Sequence, residues 1–153
     1  AEPALPRSAV VLRVAEVTDV MEGQMRKSAA MGDQQRLDEG FAFARSDMRQ
    51  SIDVLLQKTK LGSIPKSEAA VGTLRGIQRI AELGEGPLST SELLAIARQY
   101  EAARDELKVV FEALPASEQE AGKNIARTLR AQDQARIRAA IEEDEREAAA
   151  RQH

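Results

Sequence analysis

Apolar residues recur at spacings of three and four in five segments of the chain, and no stretch shows the alternating, β-branched pattern of a strand. The pattern predicts an all-α fold, a mostly antiparallel bundle of four to five helices with a long, partly projecting C-terminal helix. The predicted helical segments cover residues 8–31, 33–60, 67–83, 89–114 and 117 onward. As domains, we expect an extended N-terminal segment (1–7), the bundle (8–141) and an acidic, Ala-rich tail, helical or frayed (142–153).

The relation between the first two segments depends on the phase of their apolar stripes. Met25 and Phe41 are separated by sixteen residues, which at about 100° per residue places them about 160° apart. One straight helix would therefore face its two halves in opposite directions. A turn at Gly32, with Asp33 capping the next helix, brings both stripes into one core and is the favoured prediction. A single long helix is the alternative.

The fourth segment has the most regular pattern and is predicted to be the central helix. Its apolar residues alternate steps of three and four over three heptads: Leu93, Ile96, Tyr100, Ala103, Leu107, Val110 and Leu114. Pro115 ends this segment, and Ser117 with Glu120 three residues later predicts a capping box that starts the fifth.

The fifth segment carries the residues that we expect to bind a partner. Ile125 and Leu129 share a face, whereas Ile137 and Ile141 lie about 120° to 160° around the helix from Ile125. This leaves apolar surface that the bundle does not need. The predicted partner is another protein or a second copy of the chain, and the predicted partner-binding residues are Ile137, Ile141, Leu129, Arg130 and Arg138.

Composition removes most catalytic chemistry. The chain has no Cys and a single His at position 153, so thiolate chemistry, zinc ligation and His-based triads lack their residues. A formal charge of −3 argues against a main role in holding polyphosphates, and nucleic-acid binding is not expected. No Gly-rich phosphate loop, nucleophile elbow or metalloprotease helix is present. We therefore expect a non-enzymatic protein with no cofactor and no metal.

Two side-chain sets have a functional and a structural interpretation. Met21 and Met25 stand at i and i+4, with Met31 and Met48 in the neighbouring segments, so thioether ligation of Cu(I) is conceivable; flexible core filling is favoured. A basic stripe on the fifth segment could meet phosphates, although a solvated helix face is the favoured explanation. The stripe consists of Lys123, Arg127, Arg130 and Arg138.

The stretches 77–83 and 88–94, on either side of a Gly-Pro loop, resemble the opening helices of a winged-helix DNA-binding domain. The resemblance implies a recognition helix that begins after a turn near Gln99. The heptad pattern instead continues from Tyr100 to Leu114 without Gly, and no strand pair follows to form a wing.

The favoured functional hypothesis is a non-catalytic bundle that binds other proteins through apolar helix faces, as assembly, export-chaperone or secretion-associated adaptors do. The alternative is the ligand-binding sensor domain of a membrane receptor, and a winged-helix-like DNA-binding protein or a small all-helical enzyme ranks below it. The first residues, Ala1-Glu2-Pro3-Ala4, include no Met, which favours processing or excision. We expect a periplasmic or secreted protein, with a cytoplasmic location as the alternative.

Overall fold

The computed structural model describes residues 5–152, which fold as a bundle of packed α-helices. The described residues contain no β-strand, only a single β-bridge between Ala44 and Pro87. The all-α prediction is confirmed. The helices are α1 (Arg7–Met31), α2 (Asp33–Glu39), α3 (Arg45–Thr59), α4 (Glu68–Glu82), α5 (Thr90–Glu112) and α6 (Ala116–Arg151), with a short 3-10 turn, Leu61–Ser63, after α3.

Helix α5 is the centre of the bundle, as its heptad pattern predicts. It packs against α1 on one side and α4 on the other, while α3 contacts α4 and α6 contacts α1. Its apolar stripe is buried from Leu93 to Val110. A capping box begins the helix: the Ser89 hydroxyl accepts from the Glu92 amide at 3.3 Å, and the Ser89 amide donates to the Glu92 carboxylate at 2.9 Å.

The chain turns after α1 at Gly32, as the phase of the two stripes predicts. Gly32 has φ of 81°, a conformation that favours glycine, and its amide donates to the Ala29 carbonyl at 3.2 Å. The alternative of one helix through both segments is wrong.

The predicted segment 33–60 is two helices, not one. Gly40 adopts the left-handed conformation with φ of 75° and ends α2, so the chain crosses 41–44 before α3 begins. The break shifts the phase, so Phe41, which lies on the predicted apolar stripe, is 58% exposed. Leu37, in α2, is 53% exposed. The Phe43 carbonyl accepts from the Leu88 amide at 3.2 Å, which ties this crossing to the loop before α5. Residues 5–152 therefore contain six α-helices, where the sequence predicted four to five.

The capping box predicted at Ser117 is also wrong. Helix α6 begins at Ala116, directly after Pro115, and no side chain caps it. Pro115 already has extended backbone, with φ of −55° and ψ of 146°, so Ser117 falls inside the first turn. The Gln119 amide group instead donates to the Leu114 carbonyl at 2.8 Å and joins the two helices.

The two ends of the chain are described in part. Residues 1–4 of the predicted extended segment, and His153, lie outside the described residues, and Arg7 is already the first residue of α1. Most of the predicted tail, 142–151, continues α6 as a regular helix. No helix within residues 5–152 is long and apolar enough to cross a membrane.

Candidate interaction surfaces

The first half of α6 is held against the N-terminal half of α1. Gly122 and Ala126 are buried at this contact, and Gly122 lies so close to Ser8 that an added Cβ would come within 2.6 Å of the Ser8 Cβ. A small residue is therefore required where the two helices approach. The Arg7 guanidinium closes the beginning of the contact with an ion pair to Glu118 at 2.9 Å.

The contact between α6 and α1 ends near Asp133. The Asp133 carboxylate accepts from Arg13 of α1 at 2.9 Å and also pairs with Arg136 one turn along α6. These hydrogen bonds, the one from Arg13 above all, lower the pKa of Asp133 below its ordinary value. Asp133 is the last residue of α6 that is not exposed.

The distal half of α6, residues 134–151, is exposed along its entire length. It spans about 27 Å at 1.5 Å per residue. Ile137 is 61% and Ile141 53% exposed, and both side chains remain out of contact with the core. The two isoleucines therefore leave apolar surface exposed on a helix end whose other residues are mostly charged or small.

The structure divides the five predicted partner-binding residues into two groups. Leu129 is half-buried near α1, and the Arg130 Nε donates to Glu16 of α1 at 3.2 Å, so both belong to the contact within the chain. Ile137, Arg138 and Ile141 lie on the distal half and are exposed. Their role in partner binding stays a prediction, and the structure brings only these three together on free surface.

A second apolar surface, which the sequence did not indicate, is a groove between α1 and α3. These two helices touch only weakly, and the opening between them has a volume of about 520 Å³, within the range of about 300–1,000 Å³ typical of binding clefts. Its floor is formed by Tyr100 and Ile52, and its walls by Val17 and Met21 of α1 and Val54 and Leu55 of α3. Val17 is 42% and Val54 51% exposed. We call this surface the α1–α3 groove.

Charged residues stand at the two ends of the α1–α3 groove. Asp47 lies in the first turn of α3 and Lys58 in the last, and both line the opening. Eleven residues separate them, which is about three helical turns or about 16 Å, so the two charges lie on one side of α3.

Three of the four methionines belong to the core or pack against it, and Met31 at the end of α1 does not. Met25 and Met48 are buried, and the Tyr100 hydroxyl donates to the Met48 sulfur at 3.2 Å. Burial raises the pKa of Tyr100 far above its ordinary value, because the phenolate form would lose its hydration. These placements agree with the core-filling interpretation. Residues 5–152 contain no group of three or more His, Cys, Asp or Glu arranged to hold a metal.

At one end of the bundle, a buried arginine joins three elements. Arg36 of α2 is 2% exposed, and its guanidinium donates to the Ser28 carbonyl at 2.8 Å and to Asp33 at 2.5 Å. Asp33 in turn accepts from the backbone amide and hydroxyl of Thr90, both at 2.8 Å. These bonds, those from Thr90 first, lower the pKa of Asp33. The network fixes α1, α2 and the start of α5 relative to one another.

A second arginine stabilises the neighbouring loop. Arg45 begins α3 and donates to the Glu92 carboxylate at 2.6 Å, and this bond is the main cause of the lowered pKa of Glu92. A low pKa keeps Glu92, Asp33 and Asp133 ionised at neutral pH, which suits structural anchors and not general acids or bases. Neither Arg36 nor Glu92 was predicted from the sequence as an anchor. The signal for Glu92 is the Ser-x-x-Glu spacing directly after Pro87 and Leu88.

Comparisons with protein-family profiles, curated protein sequences and solved structures gave no match for this chain.

Proposed function

We propose that this chain is a non-catalytic, protein-binding helical bundle, and that the distal half of α6 is the surface it uses. The observation that carries the proposal is the exposure of Ile137 and Ile141 on a helix that has left the bundle. Two isoleucines four residues apart on one helical face form an anchor that fits a groove on another protein. Arg138, next to Ile137, adds a charge that can select the partner.

The class of protein that this surface suits is an assembly factor, export chaperone or secretion-associated adaptor. Such proteins bind their partners through helix faces and need no catalytic groups. In this bundle, every described carboxylate with a shifted pKa is paired with an arginine and remains ionised, which suits a structural role. A periplasmic or secreted location remains a prediction from the sequence, to be tested by fractionation of the native source.

The experiment compares three versions of the full chain: wild type, Ile137→Gln with Ile141→Gln, and Val109→Gln. Glutamine keeps helix propensity while removing the apolar contact. Val109 on α5 is 60% exposed and lies outside both surfaces, which makes it a matched control. All three should unfold at nearly the same temperature, because surface substitutions change stability by less than about 0.5 kcal/mol.

The readouts are self-association by sedimentation velocity and capture of partners from the native source by the immobilised chain. We expect the double variant to lose association or capture and Val109→Gln to keep it. Unchanged association and unchanged capture in the double variant would remove Ile137 and Ile141 from the proposal.

A further inference from the structure

We propose that the partner of the distal half of α6 is the α1–α3 groove of a second copy of this chain. The inference deepens the proposed function and rests on it. Within residues 5–152, the distal half of α6 is a helix that no groove receives, and the α1–α3 groove is an apolar opening that no helix fills. Helix α6 is a single unbroken helix from Ala116 to Arg151. Residues 134–151 are exposed and do not fill the groove of their own chain, whereas a second copy can supply a helix to it.

The two surfaces match in apolar character. Ile137 and Ile141 project from one face at i and i+4, which places them about 6 Å apart along the helix. The groove has exposed apolar walls, Val17 on α1 and Val54 on α3, above a buried floor. Inserting the two isoleucines between these walls would cover exposed apolar surface on both copies, which is the main source of affinity in such contacts.

The two surfaces also match in the order and spacing of their charges. Arg136 precedes the isoleucines and Glu147 follows them, eleven residues apart, and so on one side of α6. Asp47 and Lys58 have the same eleven-residue separation along α3. When the distal half of α6 runs parallel to α3, Arg136 faces Asp47 and Glu147 faces Lys58. If the distal half of α6 ran antiparallel to α3, Arg136 would face Lys58 and Glu147 would face Asp47, and the like charges would repel. The charges therefore favour the parallel direction.

The contact is heterologous, because the groove and the helix are different surfaces of the same chain. If each of two copies places its distal half in the groove of the other, the assembly closes as a dimer. If the contact is not reciprocal, further copies add in a row and the assembly forms an open filament. In either case each association depends on one intact α6 end and one intact groove.

The test uses light scattering of the full chain over a concentration series, with a tail variant (Ile137→Gln and Ile141→Gln), a groove variant (Val17→Gln and Val54→Gln) and the Val109→Gln control. We expect wild type and control to associate, and each of the other variants to raise the apparent dissociation constant at least about tenfold. An equimolar mixture of the tail and groove variants should recover association in part, because a mixed pair forms one intact contact, the helix of the groove variant in the groove of the tail variant.

A second measurement tests the direction. Lys58→Glu alone and Glu147→Lys alone should each weaken association, and a chain that carries both substitutions should associate more strongly than either, because the reversed charges again face each other. Thermal unfolding of each variant confirms that the bundle is intact. Absence of recovery in the double substitution would overturn the parallel arrangement.

Three results would overturn the proposal, and they separate it from the proposed function. A wild-type chain that is monomeric at every concentration has no second copy in its groove, yet partner capture still tests the function. A groove variant that associates like wild type while the tail variant does not would leave α6 as the binding surface and exclude the groove. A tail variant that behaves like Val109→Gln would contradict both.

Discussion

Gly122 offers the sharpest test of how α6 is held, because glycine in a helix is otherwise unfavourable. Replacing an exposed helical Gly by Ala raises stability by up to about 1 kcal/mol. At Gly122, however, the new Cβ would lie 2.6 Å from the Cβ and 2.9 Å from the carbonyl carbon of Ser8, and closer still to its hydroxyl oxygen. Two of these atoms are side chain and one is backbone, so α6 must move away from α1. Overpacking of this kind costs about 1–3 kcal/mol.

The net effect of Gly122→Ala is therefore expected to be neutral to about 2 kcal/mol destabilising, whereas Gly23→Ala on α1 should stabilise. Gly23 is the matched control, since it is helical and has no atom within 4 Å of an added Cβ. Urea unfolding followed by circular dichroism gives both free energies, and amide exchange of residues 116–133 reports whether the first half of α6 has loosened.

Combining Gly122→Ala with Ser8→Gly removes the two side-chain contacts and leaves the backbone one, so stability should recover in part. If Gly122→Ala stabilises the chain as much as Gly23→Ala does, α6 does not approach α1 as closely as the structure shows.

Three further predictions concern the core and its anchors. Arg36→Met should lower the free energy of unfolding by about 2–3 kcal/mol in a urea titration. This loss is smaller than the loss expected when a fully buried ion pair is broken, because Asp33 is exposed. A loss below about 1 kcal/mol would contradict the anchoring role of Arg36. The pKa of Asp33 is lower in the folded chain than in the unfolded chain, so ionised Asp33 stabilises the fold above its ordinary pKa, and this stability is lost as the pH falls through the folded pKa. The free energy of unfolding should therefore decrease on acidification below about pH 4, and Asp33→Asn should make this decrease less steep. Burial raises the pKa of Tyr100, so the absorbance of the folded chain at about 295 nm should show no phenolate near the ordinary pKa of about 10. The free energy of unfolding should decrease above that pH, because Tyr100 of the unfolded chain then loses its proton. A titration of the folded chain near the ordinary pKa would show that Tyr100 is accessible to solvent.

The sequence alone determined the all-α class, the central position of α5 and the turn at Gly32. Each follows from local rules: heptad spacing defines one buried face, and a glycine between two stripes of opposite phase requires a turn. The surplus apolar character of Ile137 and Ile141 was also visible, because it depends only on the angle between residues of one helix.

The tertiary structure decided which apolar residues are buried and which polar ones are anchors. The spacing of apolar residues predicts that Phe41 is buried. Gly40, however, takes the left-handed conformation, and the segment 41–44 that follows it is hydrogen-bonded to the loop before α5, so Phe41 is exposed. Arg36 reads as a surface charge, yet carbonyl and carboxylate acceptors from three separate elements surround it.

The α1–α3 groove is also a product of the tertiary structure. Helix α1 packs mainly against α5 and α3 packs mainly against α4, so α1 and α3 are left apart. Periodicity describes one helix at a time, whereas a groove or a buried ion pair is a property of several helices packed together. That is why the distal half of α6 could be predicted from the sequence and the groove proposed to receive it could not.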